Sequence, residues 1–360
     1  MECYSPIWIR KELHPKGGMH VPCGKCLHCL QTKRSVWTYR ILQELKVAET
    51  ARFVTLTYDE KYLPYVAQIN NGVYETDTLW NLKKLDYKLI EPTLQRKDLT
   101  NFIKRLRSEI LKDQKTHFNG PNKDLRDESR RYLKENEKSG KLSSKVRYFA
   151  CGEYGSKGNR PHYHIILFNV PLRYYKWDEI HQEWFSNKLE DLWGKGLIHI
   201  GNVERGSAHY TAKYTIKNMI DGWDENDPRQ KPYAVMSRNP GIGNNYINEQ
   251  NINYHNRSET SHTRLKSGHI QPLGRYIKDK IWPVQNLTDG IHVYPQERVN
   301  ANKKSIEHLC IQNNTRLTQE IAKEEGDIQQ AENNIREQRK AAYEQLLRKT
   351  NKSINKNNKL

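Results

Sequence analysis

Two histidines one residue apart, His162 and His164, open the apolar run HYHIILF, and Glu153 stands nine positions upstream. Alternate side chains of a strand face the same way, so the two imidazoles project together with Tyr163 opposite. Glu153 ends the preceding strand and can lie across the hairpin from them. Two imidazoles and a carboxylate are a ligand set for a divalent metal with open positions. The pair alone fits equally well two ordinary histidines on a half-buried strand.

A second group lies downstream. Tyr210, Lys213, Tyr214 and Lys217 recur at i, i+3, i+4, i+7 and form one helical stripe. Ala208, Ala212, Ile216 and Met219 form a separate apolar stripe able to pack on a sheet. Either phenol is a candidate nucleophile on phosphorus, with the neighbouring ammonium to stabilise the developing charge. The alternative is a surface helix whose Tyr and Lys stems lie along its flank. His209 falls off the stripe and reads as structural.

Cys23, Cys26 and Cys29 form C-x2-C-x2-C, with Cys3 as a fourth sulfur across a closed loop and His20 or His28 as substitutes. Four such ligands make a structural zinc site that pins an otherwise core-poor N-terminus. An iron–sulfur cluster uses similar spacing, and unligated cytosolic thiols are the third reading. Cys151 and Cys310 stand alone and read as unligated.

The elements that must position these groups follow from periodicity. QTKRSVWTYRILQELKVAET reads as a helix ending near Thr50, and RFVTLTYDE as a strand. Residues 59–94 look irregular, with a hairpin or long loop. QRKDLTNFIKRLRSEILKD is an amphipathic helix with Leu99, Phe102, Ile103, Leu106 and Ile110 on one face. Residues 113–145 read as a mobile insertion. VRYFACGEYG and HYHIILFNV are two strands joined by a Gly-, Ser-, Asn- and Pro-rich turn. DEIHQEWFSNKLEDLWGKG reads as a helix stopped at Gly194 or Gly196, LIHIGNVE as a strand, and GSAHYTAKYTIKNMI as a helix with Ser207 a candidate N-cap. Beyond Gly222, YAVMSRNPGIG reads as a strand entering a Gly-rich loop, residues 225–275 as mostly irregular, and residues from about Ser305 to Lys349 as exposed helix. This order suits an α+β fold, an antiparallel sheet with helices on one face. The expected division is a Cys-rich segment and helix at 1–50, a core at 51–222, an irregular extension at 223–290 and a charged helical tail at 291–360.

Composition narrows the partner. The chain has 360 residues, 60 Lys and Arg against 42 Asp and Glu, and a formal charge of +18. That balance favours a polyanion, nucleic acid first and an acidic membrane second. No segment approaches the ~20 apolar residues that span a bilayer, and the N-terminus lacks an apolar signal core, so a cytoplasmic site of action is expected. Six cysteines are too few for a disulfide framework. No Walker A pattern occurs. Lys33, Arg34, Arg40, Lys97, Lys104, Arg105, Arg107, Arg160 and Lys217 are candidate DNA contacts. Trp37, Tyr58 and Tyr154 suit base stacking or the core.

Taken together, FVTLTY, RPHYHIILF preceded by GEYG, and YTAKYTIKN resemble, in order and spacing, the motifs of the HUH endonuclease superfamily. With CGKCLHC, WGKG and MSRNPGIG added, the chain resembles the replication initiators of gokushovirus-type phages of the Microviridae, over roughly residues 1–280. The resemblance implies a ferredoxin- or RRM-like HUH nuclease core. It also implies Mg²⁺ or Mn²⁺ on His162, His164 and an acidic residue, here Glu153. Tyr210 and Tyr214 would be the nucleophiles on single-stranded origin DNA, with Lys213 stabilising charge. The implied products are a 5′-phosphotyrosine link and a free 3′-OH for a host polymerase, assisted by a host helicase, in the bacterial host cytoplasm. An HUH plasmid initiator or transposase, or a non-enzymatic zinc-containing nucleic-acid-binding protein, are the competing readings.

Overall fold

The computed structural model describes residues 7–10, 18–24, 26–69, 73–85, 87–118, 146–155, 158–203, 206, 208, 211–212, 223–224, 226–286, 292–323, 330, 334 and 337. Two compact units are present, Met1–Glu249 with Gln271–Lys280, and Gln250–Ile270 with Ile281–Leu360. The described fold is α+β, built on antiparallel sheets.

The first unit is organised on a seven-stranded sheet. In spatial order its strands are Tyr233–Met236, Arg147–Tyr154, Pro161–Phe168, Ala51–Leu56, Ile198–Asn202, Glu183–Phe185 and Lys176–Asp178. Every pairing is antiparallel. The histidine strand, Pro161–Phe168, is central. Ile165, Ile166, Leu167 and Phe168 are all buried. An unbroken apolar run of this kind marks a strand covered on both sides.

Both faces are indeed covered, which corrects the expectation of helices on one. Leu99, Phe102, Ile103, Leu106 and Ile110 of the Arg96–Phe118 helix pack with Val54, Leu56, Tyr163, Ile165 and Leu167. On the other face, Trp37, Ile41 and Leu45 of the Leu27–Leu45 helix, with Ala208 and Ala212, pack with Phe149, Ile166 and Phe168. Each fully buried side chain of this size contributes about 1.5–3 kcal/mol relative to exposure.

Three further expectations change. Residues 59–94 hold a three-stranded sheet, Tyr74–Thr78, Pro64–Ile69 and Tyr87–Pro92. Its edge strand YETDT is exposed at its first four residues, so it carries little apolar alternation to read. DEIHQEWFSNKLEDLW is not one helix. Lys176–Asp178 and Glu183–Phe185 form a hairpin in which Trp177 faces Trp184, and the helix begins only at Asn187. Ser186 caps it by accepting from Leu189 N at 3.1 Å, and Gly194, at φ 62°, ends it. Residues 225–275 include strand Tyr233–Met236 and helix Glu249–Ser258 rather than mainly loop.

The MSRNPGIG stretch has a structural duty. Arg40 Nε donates to Ile242 O at 2.9 Å, and Glu44 accepts from Gly243 N at 2.7 Å and pairs with Arg147. Gly243 has φ 77°, and a Cβ there would sit 2.7 Å from Arg40 O. The loop is thereby fastened to the helix that leaves the cysteine motif.

In the second unit, the Gln296–Lys323 helix meets the 260–262 segment. Ser305 Oγ accepts from Ser261 N at 2.7 Å and lies 2.9 Å from His262 Nδ1. This helix begins before the expected Ser305. The expected insertion beyond Phe118 and the chain's last residues lie outside the described residues. Among the described residues no helix is long and apolar enough to cross a membrane.

Candidate functional site

The hairpin of Arg147–Tyr154 and Pro161–Phe168 places Glu153 directly opposite His162, and Cys151 opposite His164. Its turn is closed by Gly155 N donating to Arg160 O at 2.9 Å, with Gly158 and Asn159 at positive φ. Glu153 Oε1 then lies 2.9 Å from His162 Nε2 and 2.9 Å from His164 Nε2. The two rings stand nearly perpendicular, at 85°, with centroids 4.8 Å apart. The three candidate ligands converge, including the glutamate reached across the turn.

The far nitrogen of each ring is also held. His162 Nδ1 lies 3.2 Å from Arg160 O, and His164 Nδ1 lies 3.0 Å from Thr55 Oγ1. A ring that donates from Nδ1 presents its lone pair at Nε2. Both lone pairs are then directed to the locus beside Glu153 Oε1. Phe53 stacks on His164 with centroids 5.5 Å apart. Glu153 and His164 are buried and His162 is half-buried, so the cluster opens on the His162 side.

Burial would push the Glu153 carboxyl up. Hydrogen bonds from His162 and His164 outweigh it and hold the group well below the usual carboxylate range. The glutamate therefore stays anionic in a dry setting, where one divalent ion would satisfy all three groups. Two nitrogens and one oxygen, with open coordination positions, fit a first-row divalent metal.

Cys23, Cys26 and Cys29 also converge, all half-buried, with sulfurs within 4.8 Å of one another. Cys26 is the N-cap of the Leu27–Leu45 helix, and its N–H donates to Cys23 Sγ at 3.2 Å. The helix thus starts inside the cysteine motif, earlier than its periodicity indicates. Cys3 and the side chains of His20, His28 and Cys310 lie outside the described residues. Cys151 is buried.

Tyr210, Lys213, Tyr214, Lys217, Ser207 and His209 also lie outside the described residues. Their neighbours Ala208, Thr211 and Ala212 are helical and buried. Ala208 and Ala212 pack with Phe149, Ile166 and Phe168. By strand alternation those residues share the sheet face of Glu153, His162 and His164.

Several candidate DNA contacts have work inside the frame. Arg107 donates to Val146 O through two nitrogens at 2.8 and 3.1 Å, and Arg105 donates to Leu192 O at 2.7 Å. Arg160 reaches Glu60 Oε2 at 2.8 Å and Tyr58 O at 2.5 Å. Arg40 lies 4.3 Å from the ring centroids of both Trp37 and Tyr276. Lys33, Lys97 and Lys104 are exposed, and Arg34 is half-buried. Tyr58 is buried, bonding Asp98 and Tyr163, and Tyr154 OH donates to Gln230 O.

Sequence reasoning does not single out Thr55 or Phe53 at this site. The available signal is the alternation in FVTLTY, which puts both on one face. Register then carries that face to His164, since Thr55 pairs with it directly.

Comparison with known proteins bears on the same residues. The family profile of replication-associated proteins of the ORF2 type matches residues 111–219, which contain Glu153, His162, His164 and both stripe tyrosines. A replication-associated protein VP4 of Bdellovibrio phage phiMH2K is 28% identical over 281 residues, covering 77% of this chain and 71% of that protein. This chain is a relative of phage replication-associated proteins. Replication-associated protein ORF2 of Spiroplasma virus 4 is 30% identical, over 64% of this chain and 57% of the relative. Replication-associated protein ORF4 of Chlamydia phage 1 is 23% identical, over 81% and 60%. The chain spans less than two thirds of the length of these last two relatives. No solved structure matches the chain.

Proposed function

We propose that this protein is a rolling-circle replication initiator of the HUH type, with a ferredoxin-like nuclease core. It nicks and rejoins single-stranded origin DNA in the cytoplasm of a bacterial host. The observation that carries the reading is the convergence of Glu153, His162 and His164 on one locus. The neighbouring helical residues Ala208 and Ala212 pack on the same sheet face. The relatives' names supply the replication context.

In this reading Glu153, His162 and His164 hold a divalent metal, and two imidazoles suit Mn²⁺ better than Mg²⁺. When bound, the ion polarises the scissile phosphate. Tyr210 or Tyr214 attacks phosphorus through its phenolic oxygen. The new bond joins that oxygen to the 5′-phosphate while the bond to the 3′-oxygen breaks. The phenolic proton is given up and the leaving 3′-oxygen gains one, so the linkage is exchanged without hydrolysis. Lys213 stabilises the phenolate and the charge developing on the phosphate. The second tyrosine accepts the next strand, which permits rejoining into a circle, while the free 3′-OH serves a host polymerase working with a host helicase. The cysteines hold structural zinc, with Cys3 as fourth ligand. Lys33, Arg34, Lys104, Arg107, Arg160 and Lys217 contribute to the basic surface for the strand.

The test is incubation with labelled single-stranded origin DNA and Mn²⁺. A covalent adduct is expected, and it is lost in a Tyr210→Phe/Tyr214→Phe double variant and on adding EDTA. Binding of origin DNA with neither adduct nor cleavage overturns the reading.

A further inference from the structure

We propose that Thr55 is a positioning residue that fixes the tautomer and orientation of His164, and so sets the metal affinity of the Glu153–His162–His164 cluster. The inference rests on the reading of that cluster as a divalent metal site.

The two histidines are braced differently. His162 Nδ1 is held by a main-chain group, Arg160 O at 3.2 Å. Arg160 itself is anchored through its side chain to Glu60 and Tyr58 O. His164 Nδ1 is held by a side chain, Thr55 Oγ1 at 3.0 Å. The central strand fixes this contact in register, because Thr55 is the direct cross-strand partner of His164. Their side chains therefore share one face. Phe53, two residues back on that face, lies against the ring with an interplanar angle of 17°. Ring rotation is restrained by stacking, and the hydroxyl decides which nitrogen carries the proton.

The chemistry gives the direction. A metal-bound Nε2 leaves the proton on Nδ1, so the ring must donate there. Thr55 Oγ1 accepts that proton. Without an oxygen at this position, a buried His164 keeps an Nδ1–H with no acceptor, or shifts its proton to Nε2 and blocks the ligand position. Both outcomes weaken the site while leaving all three ligands in place. Thr55→Val removes the oxygen and keeps a β-branched strand residue. Thr55→Ser keeps the oxygen and removes the methyl.

The probe is Mn²⁺ alone, titrated into the full chain without DNA, with thermal melting as the folding control. Thr55→Val is expected to weaken Mn²⁺ about 10–100-fold, in the range seen for groups that brace metal ligands. Thr55→Ser is expected to stay within about threefold of the unaltered protein. Nitrogen chemical shifts of the His164 ring, read with diamagnetic Zn²⁺ bound, should show Nδ1 protonated and Nε2 ligated. A folded Thr55→Val protein with unaltered Mn²⁺ affinity overturns the proposal while sparing the metal site. Nε2–H with Nδ1 unprotonated in the Zn²⁺-bound unaltered protein also overturns it, even if Thr55→Val does not fold. Failure of the unaltered protein to bind Mn²⁺ or Zn²⁺ at this cluster instead removes the metal reading, and this proposal with it.

Discussion

The two three-ligand clusters of this protein are built in opposite ways. Cys23, Cys26 and Cys29 are three residues apart in sequence, half-buried, and sit where the Leu27–Leu45 helix begins. Glu153, His162 and His164 come from two strands, and their outer contacts come from a third, through Thr55. The cysteine cluster is local, and nothing wider than one helical turn is needed to bring its sulfurs together. The Glu–His–His cluster exists only once the sheet has its register, because a one-residue slip would turn the histidines to the opposite face. A local cluster lets a metal organise its own segment, as structural zinc does. A cluster assembled by a sheet is preorganised, which suits chemistry that needs fixed geometry.

The largest effect that would separate them is ligand removal. His162→Ala with His164→Ala should weaken Mn²⁺ by more than about 100-fold, beyond the effect of losing a bracing group, while zinc content is unchanged. Equal loss of both metals would erase the distinction. Cys26→Ser should abolish the tightly held zinc and cost about 1–3 kcal/mol of stability, with Mn²⁺ affinity within a few-fold. Metal analysis and denaturant melts report both, and a parallel collapse of Mn²⁺ binding would show that the clusters depend on each other.

A packing change in the hairpin tests the register argument with a smaller effect. At Gly152 a Cβ would stand 2.9 Å from Leu94 Cδ2 and 3.3 Å from the Tyr163 ring. Gly152→Ala should cost about 1–3 kcal/mol and weaken Mn²⁺ without touching a ligand. Unaltered affinity in a destabilised protein would argue that the cluster tolerates movement of its strand.

Histidines elsewhere sharpen the comparison by lacking such a setting. In the second unit, burial, with His308, Arg264 and His255 nearby, lowers His262 to about 4. Its folded form is neutral where the unfolded chain, with an ordinary value of 6.5, takes up a proton. Stability should therefore fall as pH drops from about 6.5 toward 4 and level off below that. The slope should flatten in His262→Asn and be insensitive to Mn²⁺. A slope that vanishes when Mn²⁺ is added would contradict this assignment.

Legibility in the sequence follows the range of the interactions. The cysteine spacing, the His-x-His pair, the Arg96–Phe118 helix and the paired strands around GEYG are local patterns, and the structure contains each. Glu153 is reachable because a hairpin brings its strand ends together. The Lys176–Phe185 hairpin reads wrongly as helix because WDEIHQEWF carries aromatics at a spacing compatible with one. Its pairing of Trp177 with Trp184 is visible only across the turn. Helices on both faces are signalled by IILF, but the helix that covers the second face is weakly amphipathic in sequence. Thr55 cannot be assigned from sequence because its role depends on which residue stands opposite, and strand register is a long-range outcome.

The most direct measurement is tandem mass spectrometry of the protein–DNA adduct formed with Mn²⁺ and single-stranded origin DNA. The account predicts a 5′-phosphotyrosyl nucleotide on Tyr210 or Tyr214, absent when His162 and His164 are replaced. A covalent link at any other residue, or cleavage that persists unchanged without those histidines, would contradict it.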